Sequence, residues 1–140
     1  TDIASALRNF KPITGTFEVK TIRGITVLDD TYNSSPDSFR AAISWAKAQP
    51  HREKVLLIDG IIELGSSEAA VHAELAMKAS TVFSRAVIGN ARFLHYFQEN
   101  GFGERATLLS SGHARINAGS LLVCVGRVPK TAIDELLPSP

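Results

Sequence analysis

Residues 54 to 59 read KVLLID, with four apolar residues in unbroken succession. A strand with one wet face alternates apolar and polar side chains, so a run without alternation has to be covered on both faces. Parallel sheets impose that condition, because each crossover between parallel strands lays a connection over one face of the sheet. RAVIG (85–89), ATLLS (106–110) and SLLVCVG (120–126) are further short apolar runs, and amphipathic stretches separate them.

Those stretches predict helices. Thr1 and Asp2 are capping residue types, followed by Ile3, Leu7 and Phe10 at helical spacing, which predicts a short opening helix. GTFEVKTI and ITVLDD are two β-rich runs joined by Arg23-Gly24, the two-residue connection of a hairpin. Ser35 then suits an N-cap and Pro36 a first helical residue, with Asp37 in the first turn, where the helix dipole favours an anion. Phe39, Ile43 and Ala46 form the buried stripe of that helix. In SSEAAVHAELAMKASTVF (66–83) the stripe is Val71, Leu75, Ala79 and Val82. ARFLHYFQENG predicts a helix ending at Gly101, GHARINAG a short helix, and PKTAIDELL a last one.

Strands alternating with helices imply right-handed crossovers. The expectation is one domain over residues 1–140. It is α/β and doubly wound (Rossmann-like), with a mostly parallel sheet, helices on both faces and an N-terminal β-hairpin at one edge. There is no internal repeat, and the first residue is Thr1, as in a domain excised from a longer chain.

Charge and cysteine usage narrow the partners. The 15 Lys and Arg nearly cancel the 14 Asp and Glu, so no global field favours nucleic acid or an anionic membrane. No apolar stretch approaches the ~18 residues of a membrane span, and no basic-then-apolar leader opens the chain. Cys124 is the single cysteine and lies in an apolar run, which suits a buried thiol in the cytoplasm.

In open α/β sheets ligands bind beyond the carboxyl ends of the strands. Asp29 and Asp30 end one strand, Asp59 the next, and Gly89-Asn90, Ser110-Ser111 and Gly126-Arg127 later ones. Small polar residues there also serve as plain turn formers and caps. Asp29 and Asp30 project to opposite sides, so one of the two can face the crevice, where it can accept from ribose hydroxyls or hold magnesium through water. GIIELGSS (60–67) has the glycine spacing of a phosphate loop, but Ser66 stands where the lysine belongs, and a tight turn capped by Ser66 or Ser67 suits it better. No G-x-G-x-x-G is present. His51, His72, His95 and His113 are too scattered for a short-spaced metal motif, and His72 reads as a half-buried histidine with a satisfied hydrogen bond. Glu63 and Glu68 have no evident acid partner for a catalytic dyad.

GTFEVKTIRGITVLDDTYNSSPDSFRAAI, followed by VLLIDGIIELGSSEAAVHAELA, resembles the C-terminal domain of the ATP-dependent Mur ligases of peptidoglycan synthesis. The pattern is that of the branch adding D-alanyl-D-alanine to UDP-N-acetylmuramoyl tripeptide, which reads GRxE, DDTYNANPDSM, LGDMxELG with a histidine some seven residues on, and VKGSR. The resemblance implies amide formation through an acyl phosphate, with a central domain elsewhere in the chain carrying the phosphate loop and most of the hold on ATP and Mg2+. It implies nucleotide binding by Asp30, Tyr32 and Asn33, and substrate binding by Ser35, His72 and Arg127, with no catalytic residue or metal ligand in this domain. The implied partners are a UDP-linked muramoyl peptide, an amino acid or dipeptide, and the N-terminal and central domains of the same chain. The family arginine is Thr16 here, its second asparagine is Ser35, its Gly-Asp-Met is Asp59-Gly60-Ile61, and its lysine aligns with Cys124. Two rival readings are a signalling receiver, with Asp29, Asp30, Asp59, Ser110 and Lys130 as its site, and a non-catalytic α/β interaction domain.

Overall fold

A computed structural model of the chain describes residues 15–32, 35–112 and 115–140. The helix expected from Ile3, Leu7 and Phe10 lies outside the described residues, as do Asn33 and His113. The strands are β1 (Glu18–Ile22), β2 (Ile25–Asp30), β3 (Lys54–Ile58), β4 (Arg85–Ile88), β5 (Ala106–Leu108) and β6 (Leu121–Val125). They form one sheet in the order β1-β2-β6-β3-β4-β5. β1 pairs antiparallel with β2, and every other pairing is parallel. Arg23 and Gly24 have φ of 49° and 79°, the left-handed pair that lets a two-residue turn match the strand twist.

Three helices cover one face: α1 (Pro36–Ala48), α2 (Glu68–Ser80) and α3 (Ala91–Phe97). Their buried residues, with Phe39, Leu75 and Phe93 at the centre, pack on Leu28, Leu56, Ile58, Ile88 and Val123 of the strands. The opposite face is covered by α4 (Lys130–Leu136), whose Ala132, Ile133 and Leu136 pack on Val27, Leu57 and Leu122. KVLLID is thus buried from both sides, as its composition requires. Val55, Leu57, Leu56 and Ile58 are all 0% exposed and divide between the two cores by alternation.

Local sequence chemistry sets the helix starts unevenly. Ser35 has extended backbone, and its hydroxyl accepts the Ser38 N–H at 3.0 Å, with Pro36 opening α1. The cap expected from Ser66 or Ser67 does not form. Those residues lie in a 3-10 turn, Gly65–Ser67, that runs directly into α2, and Ser67 has helical backbone and no side-chain capping bond. A second expectation also fails: residues 115–120 contain no helix. Residues 115–120 lie against α4 through buried Ile116, whose N–H donates to Leu136 O at 2.8 Å. With Gly112 and Gly119 at φ of 92° and 88° and one apolar residue to bury, a helix there has no face to pack.

Candidate functional site at the carboxyl ends of the strands

β6, the last strand, inserts between β2 and β3, the first two parallel ones. Asp30 is in register with Val125, and Val125 with Ile58. Asp29-Asp30, Gly126-Arg127 and Asp59-Gly60 therefore leave the sheet side by side at the crevice edge.

The two aspartates of β2 take opposite faces. Asp29, 1% exposed, accepts from Lys20 Nζ at 3.1 Å and from the Thr31 N–H and hydroxyl at 3.1 and 2.6 Å. Burial works against its charge, but the hydrogen bonds from Thr31 and Lys20 together outweigh it and hold the carboxyl below its ordinary range. Lys20 occupies a half-buried position on β1 while Val19 beside it is 51% exposed. A cation facing inward on a hairpin was the sequence signal that Asp29 had a partner. Cys124 lies next to this pair, in register with Asp29, and burial pushes its thiol well above its ordinary value. It is a core side chain, not a reactive one.

Asp30 is 3% exposed. Its Oδ1 accepts the Phe17 N–H at 3.0 Å, and its Oδ2 accepts the Ser38 hydroxyl. The carboxylate thus ties the residues before β1 to the first turn of α1. The same residues are tied again by the Tyr32 N–H, which donates to Gly15 O at 2.8 Å. Phe17 is held at φ 44°, a left-handed conformation costing about 1–2 kcal/mol for a non-glycine residue. Its ring sits edge-on to Trp45, with centroids 6.3 Å apart. The sequence reading passed over Phe17. Thr16, in the family's arginine position, has its hydroxyl buried without a partner among the described residues.

Tyr32 is 60% exposed, and Phe17 and Ile62 also show apolar side chains around this edge. Arg127 is exposed and makes no ion pair among the described residues. Asp30, Tyr32, Ser35 and Arg127 are therefore brought to one edge.

His72 is placed differently. It is 0% exposed in the middle of α2, with its ring packed against those of Phe93 and Tyr96 from α3, centroids 4.9 and 5.0 Å away. Nδ1 donates to Glu68 O at 2.8 Å, and Nε2 accepts the Ile61 N–H at 3.0 Å. Burial holds its pKa below the ordinary value, so the ring is neutral and both nitrogens are occupied inside the fold. It is fully buried, not half-buried, and it supports the loop after β3. Glu68 has partners too: its carboxylate accepts from Tyr96 OH at 2.8 Å and pairs with Arg92, joining α2 to α3.

In that loop Gly60 has φ 121°, and a Cβ there would run into the Phe93 ring. Asp59 before it is half-buried, and burial raises its carboxyl pKa. No group of three or more His, Cys, Asp or Glu able to hold a metal occurs among the described residues. None of the described helices is long and apolar enough to cross a membrane. The receiver reading loses its geometry: Lys130 opens α4, Ser110 lies in a 3-10 turn (Leu109–Ser111), and a receiver sheet has no strand between its first two in this manner.

No family model matches the chain. Among curated proteins, it is 31% identical over 127 residues to the UDP-N-acetylmuramoyl-tripeptide--D-alanyl-D-alanine ligase of Mycobacterium tuberculosis, covering 84% of this chain and 24% of that protein. The Bacillus subtilis ligase of the same name is 26% identical over 137 residues, covering 87% of this chain and 30% of that protein. Among solved structures, MurF from Acinetobacter baumannii superposes with a TM-score of 0.76 at 20% identity, over 96% of this chain and 33% of that one. MurF from Thermotoga maritima, solved in complex with ADP, gives 0.70 at 19% identity, over 91% and 30%. The chain spans about a quarter to a third of the length of these relatives.

Proposed function

The chain is a C-terminal domain of the Mur ligase type, and from that premise we propose that it is one domain of a longer, cytoplasmic, ATP-dependent carbon–nitrogen ligase. In this reading it closes over a phosphate-loop domain and helps add D-alanyl-D-alanine to a UDP-linked muramoyl tripeptide. The observation carrying it is the match to these ligases along almost the whole chain, on a fold whose strand-end edge exposes Tyr32 and Arg127.

The chemistry is amide formation. ATP supplies the phosphoryl group that activates the peptide carboxylate, and the amine of the incoming dipeptide displaces phosphate. This domain's own residues bind and orient. Arg127 at the end of β6 offers five N–H donors to a phosphate or carboxylate, and a charge-assisted bond of this kind is worth about 1.5–3 kcal/mol. Tyr32 presents its ring outward at the domain junction, where it packs against nucleotide or the facing domain, and Asn33 adjoins it in sequence. Asp30 and Ser35 contribute by shaping the loop from β2 to α1, because their side-chain oxygens already hold Phe17, Ser38 and the helix N-terminus. His72 acts through the loop at Ile61. The phosphate-loop domain is assigned most of the hold on Mg2+ in this reading.

The test compares residues 1–140 alone with the longer protein that carries them, each given ATP, magnesium, muramoyl tripeptide and D-alanyl-D-alanine. The expected result is phosphate release and product from the longer protein only. Turnover by residues 1–140 alone, or none by the longer protein, overturns the reading.

A further inference from the structure

At the end of β3, the carboxylate of Asp59 accepts no hydrogen bond and makes no ion pair among the described residues. A Cβ on Gly89 would stand 2.6 Å from its Oδ1, and Gly60 is fixed as glycine by its φ of 121° and by the Phe93 ring. Gly126 directly follows the adjoining strand, whose last residue Val125 is in register with Ile58. A carboxylate half-stripped of water and given no partner is a cost to the folded chain, and burial accordingly raises its pKa. Asp29 and Asp30, one strand further over, are both satisfied by protein donors, so the strand-end edge is not simply short of hydrogen bonds.

The position is also particular to this chain. The motif it resembles carries Gly-Asp here, and this chain carries Asp-Gly. The acid has moved back one residue, to the strand terminus, beside the β6 end that bears Arg127. Neighbouring strands lie about 4.8 Å apart. An anion and a cation, each without an ion-pair partner among the described residues, thus stand on adjacent strand ends. That is the charge pattern of a free dipeptide in its zwitterionic form.

We infer that Asp59 binds the ammonium group of the incoming dipeptide, with Arg127 on the next strand end facing the dipeptide's carboxylate. The inference rests on the ligase reading above and assigns a specificity-determining residue within it. Asp59 selects an amine-bearing acceptor over a neutral one.

The experiment uses the longer protein that carries this chain, unmodified and with Asp59→Asn. The KM for D-alanyl-D-alanine is expected to rise roughly 10- to 100-fold in the variant, as for loss of one charge-assisted hydrogen bond, with KM for ATP and for muramoyl tripeptide within about twofold. As a second probe, D-lactyl-D-alanine, with a hydroxyl in place of the amine, should inhibit both proteins with equal strength. An unchanged dipeptide KM in Asp59→Asn, or a variant that loses affinity for both compounds alike, overturns the inference and leaves the ligase reading standing. Absence of turnover by the unmodified protein overturns that reading and this inference with it. Thermal melting of Asp59→Asn, expected at or above the unmodified value, separates a binding defect from a folding defect.

Discussion

His72 Nε2, from the middle of α2, accepts the N–H of Ile61 at 3.0 Å, and that single bond fixes the loop after β3 to the helix beneath it. The other ring nitrogen is used by Glu68 O, and two aromatic rings of α3 pack against the imidazole. The shape of the crevice edge at Asp59–Leu64 therefore depends on a side chain that no solute can reach.

His72→Ala is expected to cost about 3–5 kcal/mol, from the cavity together with the orphaned N–H of Ile61. Urea unfolding of residues 1–140 measures it, and a loss under about 1 kcal/mol would refute this role. The sign of its pH dependence follows from burial. Burial lowers the folded pKa, so the unfolded chain binds the proton first, and stability declines as pH falls below about 6.5 toward the folded value. His72→Phe should flatten that part of the stability profile.

Asp29 and Asp59 should titrate in opposite senses. Despite burial, hydrogen bonds hold the Asp29 carboxyl low, so its stabilisation is present above the unfolded pKa and is lost as pH falls through the folded one. Burial holds Asp59 high, so its contribution is present below the unfolded pKa and is lost as pH rises through the folded one. At pH 7, Asp29→Asn should lower the melting temperature and Asp59→Asn should raise it or leave it unchanged. Melting curves moving the same way for both variants would contradict this account.

Restoring the family order with Asp59→Gly and Gly60→Asp should destabilise the fold by more than about 2 kcal/mol, because a side chain at 60 meets Phe93 and a positive φ together. Chemical denaturation gives the value, and a neutral double variant would show that the loop can rearrange.

Asp30→Ala leaves the Phe17 N–H and the Ser38 hydroxyl without their acceptor and should cost about 1–3 kcal/mol. Because Phe17 packs edge-on against Trp45, the one tryptophan of the chain, the same variant should shift the intrinsic fluorescence before global unfolding. An unshifted spectrum with native stability would remove Asp30 from its structural role.

Much of the fold was legible because it rests on local rules. The apolar run at 54–58, the Arg23-Gly24 turn and the Ser35-Pro36 helix start each follow from neighbours in the chain, and each formed as read. The return between β5 and β6 did not, because whether GHARINAG could be helical depended on the face it had to cover, and one buried Ile116 sufficed. The alternation rule separated Asp29 from Asp30 correctly. It could not say that both carboxylates would be consumed inside the protein, since, apart from the neighbouring Thr31, the donors come from residues 17, 20 and 38, which reach them only through the hairpin and α1.

The sequence by itself determined the alternating α/β plan, the hairpin at the sheet edge and the residue types gathered at the strand ends, because periodicity and turn chemistry act between neighbours. Only the tertiary structure decided which of those residues remain free for a ligand. The hairpin and α1 satisfied Asp29 and Asp30 together with Thr31, and α3 with the loop after β3 buried His72. The same packing left Asp59 and Arg127 on adjacent strand ends without partners among the described residues. Freedom of a polar group is a property of its three-dimensional surroundings, and no spacing rule encodes it.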